Sequence, residues 1–194
     1  MIKLEHKYIV YSGFGKIYNI WIALTDKVGK FKIIEREVYH RPDAVGVLLY
    51  NRDKDTVILT NQMRPGPLYN DHDRKNCYEI VAGLCDQNEM SKVEIAKMEA
   101  LQEVGYKLNN ISEIMTFYSS PGSSTERLTL FYAEVTDSDK IAEGGGCEDE
   151  NEVIEILEVD FEDVIATCGI DDAKTIIVLQ WLKLRKLTFD HFNY

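Results

Sequence analysis

The stretch from Ala82 to Tyr106, AGLCDQNEMSKVEIAKMEALQEVGY, decides how the rest of the chain is interpreted. A glycine is followed by a short polar loop and then by an amphipathic helix, predicted over Lys92–Val104 and ended by Gly105. Glu99 and Glu103 lie four residues apart, so a helix projects both carboxylates from one face. Like charges held this close favour a hard divalent cation such as Mg²⁺ or Mn²⁺ between them. The stretch therefore predicts a metal site.

The bulk composition narrows the class of protein. The chain has 194 residues and a formal net charge of -11, which argues against nucleic-acid binding because neutralising phosphates requires clustered Lys and Arg. The N-terminus MIKLEHKYIV does not resemble a signal peptide, and no apolar run approaches the roughly 18 residues of a membrane span. The four cysteines have no CxxC spacing, which is typical of reduced thiols. We therefore expect a cytoplasmic protein without a membrane partner.

The order of predicted elements indicates the fold class. Turn residues separate five early β-like runs, a polar loop is predicted over residues 65–76, and strands alternate with helices after it. In the last predicted helix, residues 172–186, Ile176, Leu179 and Leu184 are expected to share one stripe. This pattern predicts an α/β (α+β) fold, an α/β/α sandwich with a mixed sheet, preceded by an N-terminal antiparallel β segment. We expect that segment to cover residues 1–42 and the sandwich to cover residues 43–194.

The loop and helix resemble the Nudix box, which ends in R-E-U-x-E-E-x-G-U with U an apolar residue. Gly83 is followed by Glu89 at the family's spacing, and the helical end reads M-E-A-L-Q-E-V-G-Y. One extra residue precedes the helix core, Met98 stands in place of Arg, and Gln102 replaces the first Glu of the pair. The family's principal metal ligands, Glu99 and Glu103, are retained.

Six further segments extend the resemblance along nearly the whole chain, to the nucleoside-diphosphate-sugar pyrophosphatase branch that contains GDP-mannose and ADP-ribose hydrolases. In chain order they are Arg36–Tyr39, Gln62–Arg64, Ser120–Glu126, Gly144–Gly146, Glu150–Glu152 and Asp172–Thr175. By this resemblance we expect Mg²⁺, or Mn²⁺, to be held by Glu99, Glu103, Glu152 and the Ala82 carbonyl. Gly83 is expected to let the chain turn sharply so that this carbonyl faces the metal.

The same resemblance assigns the remaining roles. Glu150 is the expected general base, on a loop that the three glycines allow to move. Arg64 is expected to bind the diphosphate, and Phe14 to stack on the nucleotide base. The full set of expected substrate contacts is Phe14, Arg36, Glu37, Arg64, Gly83, Leu84, Glu126 and Lys174. A homodimer is expected, in which the N-terminal segment is exchanged between protomers.

Several alternatives stay open at this level. A Glu pair on a helix is ordinarily a solvated face, Arg64 could simply end a strand, and the glycines could be a plain linker. GDP-mannose is the preferred substrate and ADP-ribose the second, with UDP-sugars possible. The eroded positions Met98 and Gln102 also fit a domain that senses a nucleotide sugar without cleaving it. A housecleaning enzyme for oxidised nucleoside triphosphates is disfavoured by Pro121.

Overall fold

The computed structural model describes residues 1–73, 77–87, 89–147, 153–166 and 169–191. These residues form two units. The first unit is Met1–Ala44 together with Thr116–Leu128, and the second is Val45–Met115 together with the described residues from Thr129 onward. The domain boundary between residues 42 and 43 stays a prediction.

The first unit contains an antiparallel sheet in the order β1-β2-β3. Its strands are β1 (Ile2–Ser12), β2 (Lys16–Thr25) and β3 (Phe31–His40). The Tyr39 N–H donates to the Ser123 carbonyl at 2.8 Å, and the Thr125 N–H donates to the Tyr39 carbonyl at 3.1 Å. These bonds fix the turn of Ser120–Glu126 to the end of β3, so two segments singled out in the sequence meet in this unit.

The second sheet runs in the order β10-β5-β4-β9-β8, with β6 paired to β5 and β7 paired to β4. The strands are β4 (Ala44–Asn51), β5 (Thr56–Gln62), β6 (Cys77–Glu79), β7 (Val81–Leu84), β8 (Ser112–Tyr118), β9 (Arg127–Val135) and β10 (Glu155–Asp160). Every residue of β4 is buried, which explains its almost uninterrupted apolar sequence. The predicted mixed fold with an antiparallel N-terminal sheet is confirmed.

The helices are α1 (Pro65–Asn70), α2 (Lys92–Val104), α3 (Phe161–Ala166) and α4 (Ala173–His191). The prediction of a loop over residues 65–76 is wrong at its start, where the structure has α1. A proline in the first turn favours the start of a helix. The stripe predicted for α4 is also wrong. Val178, Leu179 and Leu182 are buried, whereas Leu184 is 65% exposed. No described helix is long and apolar enough to cross a membrane.

Both ends of α2 are fixed by hydrogen bonds. The Ser91 side chain accepts from the Glu94 N–H while the Glu94 carboxylate accepts from the Ser91 N–H, a reciprocal capping box. At the other end, Gly105 takes a left-handed conformation with φ of 78°, and the Tyr106 N–H donates to the Ala100 carbonyl. The predicted bounds of α2 and its Gly105 cap are therefore confirmed.

The core of the second unit lies between α2 and the sheet. From α2, Ile95, Ala96, Ala100 and Val104 pack with buried residues of β4 and β9. Because these apolar residues fix the rotation of the helix, they also determine which way Glu99 and Glu103 point.

Candidate active site

The carboxylate of Glu103 lies inside the protein against β7. Glu103 is only 2% exposed, and its Oε2 accepts a hydrogen bond of 3.3 Å from the Ala82 N–H. A buried carboxylate is costly unless hydrogen bonds or positive charges compensate it. Glu103 is therefore not a solvated helix residue, and the ordinary interpretation of a Glu pair as a surface face is wrong for this residue.

Glu99 lies one turn earlier on α2, beside Gly83 of the same strand. A Cβ added to Gly83 would overlap the Glu99 carboxylate. Gly83 lies within β7 and is not among the glycines with positive φ, so the sharp turn expected from the sequence is wrong. The glycine instead leaves room for the Glu99 carboxylate, which in this position lies where a side chain at residue 83 would begin.

Together these contacts place two carboxylates and the Ala82–Leu84 backbone in one location. Leu84, expected to contact substrate, ends β7 and is partly buried. The described residues contain no cluster of three or more His, Cys, Asp or Glu side chains able to hold a metal. The other two acidic residues expected at the site, Glu150 and Glu152, lie outside the described residues.

A second cluster joins the two cations that the sequence assigned to substrate binding. Arg64 donates from Nε to Glu79 Oε1 at 2.8 Å and from Nη2 to Glu79 Oε2 at 2.9 Å. Lys174 donates from Nζ to the same Oε2 at 2.6 Å and lies 3.0 Å from Asp172 Oδ2. Glu79 is 3% exposed. One buried carboxylate on β6 therefore holds both cations.

The electrostatics of this cluster are strongly coupled. Burial by itself would raise the pKa of Glu79, but hydrogen bonds and charges from Arg64 and Lys174 lower it below its ordinary value. Burial by itself would lower the pKa of Arg64, but the carboxylates of Glu79, Glu103 and Asp172 raise this pKa above its ordinary value. Because Glu103 contributes to that shift, Arg64 lies within electrostatic range of the Glu103 carboxylate on α2.

The first unit brings together a different set of residues. The Arg41 guanidinium lies 5.7 Å from the centre of the Phe14 ring. Its Nη1 lies 3.5 Å from Glu126 Oε1. Glu126 also accepts a 2.8 Å hydrogen bond from the Ser119 hydroxyl. Phe14 is 82% exposed, so most of its ring surface is accessible for stacking on a planar ligand.

The two other expected residues of this unit lie side by side on β3. Arg36 and Glu37 are both exposed, opposite Ile20 and Asn19 of β2. Arg36 donates from Nη1 to the Glu35 carbonyl at 2.7 Å. Neighbouring residues of a strand point to opposite faces, so the two side chains are presented on different faces of the sheet.

The glycine-rich segment is attached to the C-terminal end of α2. The Gly145 N–H donates to the Glu103 carbonyl at 2.8 Å, and the Gly146 N–H donates to the Gln102 carbonyl at 3.2 Å. Gly144, Gly145 and Gly146 have φ of 75°, 106° and 90°, and a Cβ on Gly144 would lie 2.7 Å from the Glu103 carbonyl oxygen. The glycines therefore have a structural reason beyond mobility, because they satisfy carbonyls at the helix end.

Sequence reasoning missed two residues of these clusters, Glu79 and Arg41. Glu79 lies four residues before Gly83 in a short, otherwise apolar segment, and an acidic residue in such a segment signals a partner of opposite charge. Arg41 lies two residues after the R-E-V-Y segment but carried no signal of its own.

Comparison with known proteins agrees with this geometry. Residues 40–181 match the model of the NUDIX domain family, and the chain belongs to this family. It is 39% identical over 187 residues to the GDP-mannose pyrophosphatase of Cronobacter sakazakii, covering 95% of this chain and 96% of that protein. It is 37% identical over 189 residues to the GDP-mannose pyrophosphatase of Escherichia coli O1:K1, covering 96% and 97%.

A solved structure shares the fold. The crystal structure of an ADP compounds hydrolase matches with a TM-score of 0.65 and 19% identity, covering 94% of this chain and 97% of that one. At this level of identity the likeness concerns the fold alone.

Nudix hydrolases generally use divalent metals, and the donor set on α2 and β7 fits one. Glu99 and Glu103 are hard oxygen ligands one helical turn apart, and the space that a Gly83 side chain would fill is taken by the Glu99 carboxylate. Burial of Glu103 would favour occupancy by a cation, since the cation compensates a charge that water does not reach.

Replacing Gly83 by Ala tests this arrangement. The new Cβ should displace the Glu99 carboxylate, and loss of ligand geometry should weaken metal binding by about tenfold or more. Mn²⁺ titration followed by electron paramagnetic resonance measures the affinity directly. Gly169→Ala is the matched control, because a Cβ there meets nothing within 4 Å. Unchanged Mn²⁺ affinity in a folded Gly83→Ala protein would contradict the assignment of Glu99.

Proposed function

We propose that this protein hydrolyses the diphosphate bond of a nucleotide sugar, with GDP-mannose preferred, to a nucleoside monophosphate and a sugar 1-phosphate. The observation that carries the proposal is the pairing of a buried Glu103 and a neighbouring Glu99 with the backbone of β7. The names of the two relatives support GDP-mannose, and ADP-ribose is the alternative substrate.

Mg²⁺, with Mn²⁺ as a substitute, is the proposed cofactor. Glu99, Glu103, Glu152 and the Ala82 carbonyl would hold it. When bound, it would neutralise diphosphate charge and lower the pKa of a water molecule. The carboxylates on α2 would hold the ion at a fixed position beside the substrate, because both ends of the helix are fixed by hydrogen bonds.

Arg64 and Lys174 are the proposed diphosphate ligands in the second unit. Glu79 binds the edge of the Arg64 guanidinium that is formed by Nε and Nη2. Nη1 belongs to the other edge. A guanidinium suits phosphate oxygens because its planar donors match their spacing. Gly83 and Leu84 would contact the substrate through the backbone of β7.

Glu150 is the proposed general base, which would take a proton from the attacking water. Its neighbours Gly144–Gly146 are attached to the helix that carries Glu99 and Glu103. A base must lie within hydrogen-bond reach of the proton that it removes. Attachment to α2 supports the proposal because it ties the start of this loop to the metal ligands.

Phe14, Arg36, Glu37 and Glu126 of the first unit would recognise the nucleotide or sugar. We further propose a homodimer in which the N-terminal segment is exchanged, so that Phe14 and Arg36 of one protomer serve the partner's site. Support comes from exposed apolar side chains in the first unit, Ile2, Leu4, Ile9, Val10, Phe31 and Ile33, each at least 49% exposed. Large apolar side chains exposed to this extent are typical of an interface.

The cytoplasm is the proposed location. Support comes from the sequence, in which the four cysteines have no CxxC spacing, a pattern typical of reduced thiols.

A substrate screen tests the proposed reaction. With Mg²⁺ and coupled phosphatase, GDP-mannose should release phosphate faster than ADP-ribose, UDP-glucose or 8-oxo-dGTP, and EDTA or Glu103→Gln should abolish release. Faster hydrolysis of ADP-ribose would establish the alternative substrate. A folded protein that hydrolyses none of the four, although GDP-mannose raises its melting temperature, would instead be a nucleotide-sugar sensor.

Replacing Glu150 by Gln tests the general base. Activity should fall by about 10²–10⁴-fold, because an amide cannot accept the proton from water. Mn²⁺ affinity should stay near that of the wild type, which separates a base from a metal ligand. Glu143→Gln, an exposed carboxylate on the other side of the glycines, is the control and should keep normal turnover. Near-normal turnover of Glu150→Gln would rule out this role.

Mixing two inactive variants tests the exchanged dimer. Arg36→Ala alters the first unit and Glu103→Gln alters the second, so an exchanged hybrid dimer contains one site with neither change. After joint refolding, activity should recover to about a quarter of the wild-type value, since about half of the dimers are hybrids with one intact site. Activity equal to the mean of the two separate variants would show that each protomer completes its own site.

A further inference from the structure

Glu79 occupies a position that neither the family motif nor the predicted site includes. Its carboxylate binds Arg64 through both oxygens and Lys174 through one, with donor–acceptor distances of 2.6 to 2.9 Å. Charge-assisted bonds of this length are the strongest that side chains form. Glu79 therefore connects Arg64, the N-cap residue of α1, with the first turn of α4.

The neighbouring hydrogen bonds hold the same cluster from α4. Asp172 lies 3.0 Å from Lys174 Nζ and accepts from the Thr175 hydroxyl at 2.6 Å. That hydroxyl also accepts from the Ile80 N–H, the residue after Glu79, at 2.9 Å. Lys174 thus has two carboxylate partners described in the structure, whereas Arg64 has its bidentate contact with Glu79.

Burial alone does not explain this arrangement. A buried ion pair contributes little net stability, and apolar residues of similar volume often serve as well. An ion pair does fix the orientation of a guanidinium, because its planar donors accept only a narrow range of geometries. The Arg64 side chain is 38% exposed while that of Glu79 is 5% exposed, so the arginine is held from inside and faces outward.

We propose that Glu79 is a positioning residue that orients Arg64, and secondarily Lys174, to bind the diphosphate of the substrate. The proposal rests on the proposed function of the two cations. It makes a distinctive claim, namely that removing a negative charge beside two cations weakens the binding of an anion. A residue that only neutralised the cations would have the opposite effect, because its removal would leave more positive charge for the diphosphate.

Glu79→Gln is the central test, since the amide keeps the shape of the side chain and removes its charge. KM for GDP-mannose should rise by about tenfold to 10²-fold, the range expected for a hydrogen bond to a charged group. The Mn²⁺ affinity should change much less than KM, because Glu99 and Glu103 are intact. Glu79→Asp should give an intermediate KM, since a shorter carboxylate can still pair with one cation.

A double-mutant cycle shows whether Glu79 acts through Arg64. If it does, Glu79→Gln should raise KM much less in an Arg64→Met background than in the wild type. Glu155→Gln is the matched control, because that carboxylate accepts a 2.7 Å bond from Asn61 on the strand next to β6 and lies outside the cluster. It should leave KM unchanged. Equal effects of Glu79→Gln in both backgrounds, or a lower KM, would overturn the proposal.

Stability provides a separate measurement of the ion pair itself. Because the native pKa of Glu79 lies below its ordinary value of 4.5, its contribution is present above that pH and is lost as the pH falls through the native pKa. The difference in unfolding free energy between wild type and Glu79→Gln should therefore shrink on acidification. A purely structural Glu79 would show this change with an unaltered KM, which contradicts positioning.

Binding of inorganic pyrophosphate and GDP separates this proposal from the assigned reaction. Calorimetry with Ca²⁺ present measures diphosphate affinity without turnover, so it applies even if none of the screened nucleotide sugars is hydrolysed. Both ligands should bind Glu79→Gln about tenfold or more weakly than wild type. Equal or tighter binding by the variant, or no binding of either ligand to the wild type, would overturn the role of Glu79.

Discussion

The contact between α2 and β7 at Gly83 is the constraint on which the rest of the site depends. Glu99 approaches the strand where only a hydrogen fits, and one turn later Glu103 accepts a hydrogen bond from the Ala82 N–H. The apolar face of α2, which includes Ile95 and Ala100, packs into the core and fixes the rotation of the helix. The packing that stabilises the fold therefore also orients the two carboxylates, because both belong to one rigid helix.

Two charge arrangements flank this contact within the second unit, and they differ in physical character. The carboxylates on α2 concentrate negative charge, which a divalent cation would offset. In the second arrangement, Glu79 and Asp172 oppose Arg64 and Lys174, so the ion pairs are balanced among themselves. The effect of Glu103 on the pKa of Arg64 shows that the two arrangements interact. A diphosphate with a bound metal carries the combination of charges that both would accept.

Hydrogen bonds at the end of α2 extend the same rigidity along the chain. Gly145 and Gly146 donate to the carbonyls of Glu103 and Gln102, in conformations that only glycine adopts easily. The backbone of a proposed metal ligand is thus bonded to the segment that leads to Glu150. In the first unit, Arg41 has a comparable organising position, since its guanidinium contacts both Phe14 and Glu126.

The sequence by itself determined the bounds of α2 and the two carboxylates on it, because these depend on local spacing and helix geometry, and the resemblance of its motifs indicated the family. It did not predict the helix at Pro65 or the buried face of α4, where Leu182 rather than Leu184 is buried. Only the tertiary structure showed that Gly83 accommodates a carboxylate and that Glu79 holds both Arg64 and Lys174. These contacts join residues distant in sequence, and no periodicity of the chain records which side chains meet once its elements pack.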